Sequence, residues 1–242
     1  MTDTEHLSKD SQFSPVEDRD EEVFFSVDIE TDGPIPIVNS MISLGCAAFN
    51  YDGTLLDTFE VNLQPLESAV QDPDTMNFWE KNQEAWNHST SNPVDPREAM
   101  RSFSEWVHTT AGGRPKVAVC FPAGFDFTFL YVYFKYLGLS SPFGFSCVDM
   151  KTYASATLKN RYGRSGKGSW PNRWFDKGLP HTHKAIDDAL EQGLTFMKMR
   201  AELLSGKDAA ARVGENFWRE NKHVKRIVSE SDCNSLDHKE SK

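Results

Sequence analysis

Asp28 and Glu30 stand one residue apart at the end of the apolar run Val23-Phe24-Phe25-Ser26-Val27. On an extended strand, side chains at i and i+2 share a face, so both carboxylates project to the same side. Two acids at the end of a buried strand repel each other unless a proton or a cation sits between them. Hard oxygen ligands select Mg²⁺ or Mn²⁺ for that place. The competing reading is a strand running into an acidic surface turn, and the pair alone leaves both open. Asp126 lies in Phe121-Pro122-Ala123-Gly124-Phe125-Asp126-Phe127, after a strand and at the opening of a helix. By itself it reads as a helix-start acid favoured by the macrodipole. The third group is His183-Lys184-Ala185-Ile186-Asp187-Asp188. A histidine held at a helix start beside an acid can serve as general base near neutral pH, although a lone histidine is more often an ordinary surface residue. Asp187 is adjacent to Asp188 and must face another direction on the helix.

The elements that must position these groups follow from periodicity and turn chemistry. Residues 23–29 read as a short buried strand. Residues 41–50 and 55–63 read as two more, joined into a hairpin by the turn residues Asn50-Tyr51-Asp52-Gly53. Residues 96–109 form a helix with Asp95 as N-cap and Pro96 at its first position. A strand over 116–121 and an aromatic helix over 125–137 carry Asp126 between them. The aromatics of that helix are too many for one face, so most belong to the core. A short strand over 146–150 leads into another helix. Residues 162–180, rich in Gly, Pro and Trp, read as a long loop. Residues 185–204 have helical periodicity and stop at Gly206. Trp79 and Trp86 fall in the connection after the first three strands, where core packing for a short helix is the simpler reading. Strands first, then alternating strands and helices, imply an α/β or α+β domain around a mixed sheet.

The 242 residues suffice for one large domain or one medium domain with tails. We divide them into an acidic disordered arm (1–20), a main domain (21–206), and a C-terminal helix over 209–226 with a disordered tail (207–242 together). Hydrophobic residues make up 38% and charged residues 26%, a polar-leaning globular composition. No run approaches the roughly 18 apolar residues of a membrane span, and the opening residues lack the apolar stretch of a secretory signal. The expected location is therefore cytoplasmic. Cys46, Cys120, Cys147 and Cys233 form no C-x-x-C pair, which argues against a zinc site and a disulfide framework. Net charge is −10, yet the first 22 residues hold eight acids against Lys9 and Arg19, so six of those charges sit in that stretch. Residues 159–184 have the opposite character, with seven lysines and arginines against Asp176 alone.

In chain order the acidic groups match a known pattern. Asp28-Ile29-Glu30-Thr31-Asp32-Gly33 resembles the first motif of the DEDD exonuclease superfamily. Phe125-Asp126 with Leu130 after it resembles the second. His183-x-Ala185-x-x-Asp188 resembles the third motif, in the histidine-bearing DEDDh branch that includes ribonuclease T, oligoribonuclease and the proofreading subunit of bacterial replicative polymerase. The resemblance covers roughly residues 22–205. The second motif departs from the common form, since Pro122 stands where many relatives carry Asn. The resemblance implies a ribonuclease H-like α/β fold, a mixed five-stranded sheet flanked by helices. It also implies a metal-dependent 3′→5′ exonuclease acting on single-stranded nucleic acid, with RNA slightly favoured over DNA.

The same resemblance assigns Asp28, Glu30, Asp126 and Asp188 to two divalent ions, Mg²⁺ or Mn²⁺, with Asp28 bridging, Glu30 and Asp188 on one ion and Asp126 on the other. Such a pair roughly 4 Å apart can clamp the attacking and leaving oxygens of a phosphodiester. His183 would deprotonate the attacking water, and Thr31 would contact the terminal nucleotide. In residues 159–184, cations alternate with Tyr162, Trp170, Trp174 and Phe175. We read this segment as a substrate-guiding flap in which Arg161, Arg164 and Arg173 track phosphates and Trp174 stacks on bases; the plainer reading is a solubilising surface loop. Gly163-Arg164-Ser165-Gly166-Lys167-Gly168 is not a P-loop, because its glycine spacing is too short and Gly168 replaces the Ser or Thr. A DNA exonuclease for repair or proofreading is the nearest alternative. A non-catalytic nucleic-acid-binding module is disfavoured by the complete acid set. No membrane partner is expected, and the resemblance admits a homodimer.

Overall fold

The structure, a computed structural model, describes residues 22–222 and 224. The acidic arm, the tail after residue 224 and Cys233 lie outside these residues. Five strands form one mixed sheet, β1 (Val23–Thr31), β2 (Met41–Asn50), β3 (Leu55–Asn62), β4 (Lys116–Cys120) and β5 (Val148–Asp149), in the order β3-β2-β1-β4-β5. β1 pairs antiparallel with β2 and parallel with β4; β3 extends the hairpin and β5 runs parallel to β4. The expected hairpin turn closes through Asn50 and Thr54, with Gly53 in a positive-φ conformation. Among the described residues, no helix is long and apolar enough to cross a membrane.

Helices cover both faces. α3 (Pro96–Ala111) begins at Asp95, whose side chain accepts from the Arg97 and Glu98 amides. It packs with α4 (Asp126–Tyr136) against Val23, Phe25, Val27 and Ile29 of β1. The other face, holding Phe24, Ala47 and Phe49, is covered by α5 (Met150–Leu158), α6 (Ala185–Ser205) and α7 (Lys207–Glu220). Alternation along β1 therefore sends the odd-numbered residues to α3 and α4. Ser26, Asp28 and Glu30 go to the α6 side. Where one short helix was expected after the hairpin there are two, α1 (Pro73–Trp79) and α2 (Gln83–Ser89). Trp79 is buried, and its indole N–H donates to the Thr31 carbonyl, pinning the end of β1.

Two differences from the sequence reading concern the active face. β1 runs to Thr31, two residues further than periodicity indicates, with a register shift between Glu30 and Thr31. Both acids therefore lie within a paired strand. Residues 162–180 are more than a loop. They fold into three short 3₁₀ turns, Tyr162–Arg164, Lys167–Ser169 and Asn172–Trp174, and Trp170 and Trp174 pack into the cluster that includes α6.

The helix that carries the third motif lies unusually close to the sheet. Gly45 of β2 is the direct cross-strand partner of Asp28. A Cβ at Gly45 would fall 2.2–2.4 Å from the Ala185 and Ile186 backbone, and one at Gly193 would fall 2.4 Å from the Phe49 ring. α6 thus crosses β1 and β2 on backbone-close contacts at two points, two turns apart. A methyl added at the first contact must push the helix off the sheet, because the opposing atoms are backbone and cannot rotate away. Gly45→Ala is expected to destabilise the fold by about 1–3 kcal/mol, the range of overpacked cores. Urea unfolding would show this as a lowered midpoint with unchanged slope, and an unmoved midpoint would show that α6 can retreat without cost.

Candidate active site

The sheet and the two helix starts bring the four acids together. Asp28 and Glu30 sit half-buried on β1. Asp126 is the first residue of α4 and is buried, as is Asp188 in the first turn of α6. One oxygen each from Asp28, Glu30 and Asp188 lie within 4.8 Å of one another, close enough to share a cation. The second oxygen of Asp126, Oδ2, is buried without a hydrogen-bond partner. A buried carboxylate oxygen left unpaired is costly, and a cation is the ligand that would satisfy it.

The electrostatics point the same way. Burial raises the carboxyl of Asp28 well above its ordinary range, and Asp126, Glu30 and Asp188 raise it further; Lys167 opposes them. Burial raises Glu30 well above its range too, with added repulsion from Asp188 and Asp126. Asp126 is likewise raised by burial, opposed by the backbone amides of Asp126 and Ile29. Carboxyls crowded in this way resist ionising together unless positive charge is supplied.

The turn before α6 holds Asp188 from three sides. Its Oδ1 accepts from the Thr182 amide at 2.9 Å. Its Oδ2 accepts from the His183 amide at 3.1 Å and lies 3.0 Å from His181 Nδ1. His183 takes a positive φ of 58°, which turns the chain into the helix. Its ring packs edge-on against Phe78 and His181. Burial holds the His183 imidazole below the usual histidine range, and the neighbouring His181 pushes the same way. Asp187 accepts instead from the Thr182 hydroxyl and lines a separate cavity of about 370 Å³ beside β3 and α7, away from the four acids.

Two cavities flank the carboxylates. One of about 180 Å³ is lined by Glu30, Thr31, Thr75, Phe78, Trp79 and Phe125. The other, of about 360 Å³, is lined by Asp28, Phe121, Lys167, His181, Asp188 and Glu191. Thr31 is thus placed at a cavity beside Glu30, although its side chain is mostly buried.

The flap reading needs correction at two of its four residues. Trp174 is fully buried, and its indole N–H donates to Glu202, so neither face is free for a base. Arg173 pairs through two nitrogens with the same Glu202 carboxylate, toward the far end of α6. The apolar and cationic alternation in this segment builds a wall over α6 rather than a free arm. Arg161 and Arg164 remain exposed, but they line neither cavity. Sequence reasoning also passed over two groups that the structure places at the acids. His181 has a weak signal, the His-x-His spacing with His183. Lys167 was indistinguishable from the other cations of its run.

Comparison with known proteins follows the same geometry. A family model described as the 3′-5′ exoribonuclease Rv2179c-like domain matches residues 23–199. The 3′-5′ DNA exonuclease Cap18 of Escherichia coli is 37% identical over 186 residues, covering 73% of this chain and 91% of its own length. Among solved structures, the nuclease domain of 3′hExo, a DEDDh family member bound to rAMP, superposes with a TM-score of 0.58 at 13% identity. That match covers 79% of this chain and 96% of the other. The Mg²⁺- and Mn²⁺-bound form of S. pombe Pop2p gives 0.51 at 17% identity, covering 76% and 84%. These two structures share the ribonuclease H-like fold with this chain.

The raised carboxyl groups give a signed expectation. A carboxyl whose folded pKa is raised favours the fold at low pH and weakens it as pH rises through the folded value. Added Mg²⁺ or Mn²⁺ should therefore raise the melting temperature at pH 7.5. A concentration of 100 times Kd would add about 2.7 kcal/mol. The gain should shrink toward pH 5, where protons compete for the same oxygens. Differential scanning fluorimetry at both pH values, with Asp126→Asn alongside, checks it; equal gains in the wild type and the variant would remove Asp126 from the cation site.

Proposed function

The chain belongs to the 3′-5′ exoribonuclease Rv2179c-like family, exonucleases of the DEDDh type, and from that membership we propose that it removes nucleotides one at a time from the 3′ end of single-stranded nucleic acid, using Asp28, Glu30, Asp126 and Asp188 to hold two divalent ions and His183 as general base. The observation that carries this reading is the convergence of the four acids, three of them within 4.8 Å, with an unpaired Asp126 oxygen beside them. The oxygen-only donor set fits Mg²⁺ or Mn²⁺ rather than softer metals. When bound, such ions supply charge relief on the phosphodiester oxygens and make water a better nucleophile.

The protein's own groups do the rest. Asp188 is fixed by two backbone amides and His181, so its lone pairs are aimed before substrate arrives. His183, kept neutral by burial, accepts the proton of the attacking water. Its ring packs edge-on against Phe78, which lines the smaller cavity. That cavity, with Phe78 and Phe125 as apolar walls and Thr31 at its floor, receives the terminal nucleoside. The catalytic unit comprises residues 21–206, with the Mg²⁺ or Mn²⁺ site at the C-terminal end of β1.

RNA is the first substrate to test, in line with the family's description. A DNA substrate is the second reading, because the 37% identical relative is a DNA exonuclease. The experiment is a time course on matched 5′-labelled single-stranded RNA and DNA with Mg²⁺, Mn²⁺ or EDTA, run beside Asp28→Ala. A ladder shortening from the 3′ end is expected, abolished by EDTA and in the variant; full activity of Asp28→Ala would sink the scheme. The faster substrate decides RNA against DNA.

The histidine gives a pH test. Its lowered pKa keeps it unprotonated, and active, to below the ordinary histidine value of 6.5. At saturating metal, the acid limb of kcat should have its midpoint under that value. His183→Gln should lose about 10²–10⁴-fold in kcat together with that limb. A variant that retained both the rate and the limb would show that another group takes the proton.

A further inference from the structure

Lys167 is the one lysine or arginine among the described residues lining the larger cavity beside the carboxylates. Its Nζ lies 2.5 Å from Glu191 Oε2. The two partners are unequal: the lysine side chain is 30% exposed, whereas Glu191 is 6% exposed. Glu191 stands one helical turn after Asp188 on α6, so both acids face the same cavity. The turn that carries Lys167 is fixed from within, by the Trp170 indole donating to the Ser165 carbonyl and the Ser169 hydroxyl donating to Gly166. The result is a partly exposed cation on the cavity wall, paired to a buried acid and carried on an internally hydrogen-bonded turn.

We propose that Lys167 binds a phosphate of the substrate strand next to the bond that is cleaved, with Glu191 as the acid that aims it. This rests on the exonuclease reading of the same cavity. An ammonium has three N–H donors and no acceptor. One donor is taken by Glu191, which leaves two for phosphate oxygens without stranding a buried carboxylate. The need for such a group follows from the surroundings. Asp28, Asp188 and Glu191 present negative charge to a strand that is itself a polyanion, and His181 is the remaining titratable group on the cavity wall. Lys167 already acts on this charge, as the group that opposes the raised pKa of Asp28. Phe121 adds an apolar wall beside it, braced edge-on by Trp170 at 4.8 Å. The segment over residues 159–184 thus meets substrate through Lys167, while Arg173 and Trp174 hold the segment to α6.

The test is the salt dependence of nucleotide release from a 5′-labelled single strand, RNA or DNA, whichever the wild type degrades. Lys167→Gln should raise KM about tenfold, the size of one charge-assisted hydrogen bond. It should also flatten the slope of log(kcat/KM) against log[salt] by about 0.7, one phosphate of a single strand. Lys167→Arg should keep the wild-type slope. Glu191→Gln retains the cation and should keep the slope while raising KM less. If Lys167→Gln folds poorly because Glu191 is left buried and charged, Lys167→Gln with Glu191→Gln replaces the ion pair by two amides, and the flattened slope is read there. An ion pair with a purely structural role would lower the melting temperature in both single variants alike and leave every slope unchanged; that outcome overturns the proposal. An inactive wild type would instead overturn the exonuclease reading beneath it.

Discussion

The close approach of α6 to the sheet is the constraint on which the site depends. Side chains between a helix and a sheet ordinarily hold them well apart, and at that spacing Asp188 would not reach the carboxylates of β1. Here the separating atoms are missing at both contacts. Gly45 admits the backbone of Ala185, and Gly193 admits Phe49. Ala185 and Ala189, fully buried, keep the intervening turn equally thin. Because Gly45 lies directly across from Asp28, the first contact sets the helix start beside the first acid. The positions of His183 and Asp188 then follow from the length of one helical turn.

Closeness brings repulsion. Four carboxylates, two of them buried and two half-buried, would drive the helix starts apart if each were ionised and unpaired. Several fixed groups oppose this. Backbone amides at Thr182 and His183 face Asp188, those of Asp126 and Ile29 face Asp126, and Lys167 faces Asp28. They do not cancel the burial that raises Asp28, Glu30 and Asp126. The fold therefore holds a site whose charge is incomplete, and cation binding and folding become linked. The aromatic layer that covers α6, from Trp170 to Phe217, and the α3–α4 core beneath β1 supply the rigidity that keeps the acids in place.

The segment over residues 159–184 shows how composition can mislead about surface and interior. Tryptophans spaced among cations suggest an open binding arm, yet Trp170 and Trp174 are buried and each indole N–H has a partner in the protein. Arg173 faces Glu202, a residue 29 positions away that no local pattern could nominate. Of seven cations with similar neighbours, tertiary contacts select one for the cavity.

The sequence by itself indicated most of the elements and, through the family resemblance, the candidate acids. Period-two alternation put Asp28 and Glu30 on one face of β1, the Asn50–Gly53 turn closed the hairpin, and Asp95 with Pro96 opened α3, because these are local properties of backbone and side chain. The spacing of His183, Ala185 and Asp188 carried the resemblance to the third motif. The length of β1 was less legible: Glu30 and Thr31 continue the strand through pairing with β2, an interaction between residues distant in the chain. Only the tertiary structure shows how Asp188 reaches the acids of β1, through two glycines that remove atoms between a helix and a sheet. It also decided that His181 braces Asp188 and that Lys167 faces the cavity. Periodicity reports which side of its own element a residue occupies; what stands opposite is set by packing between elements far apart in sequence.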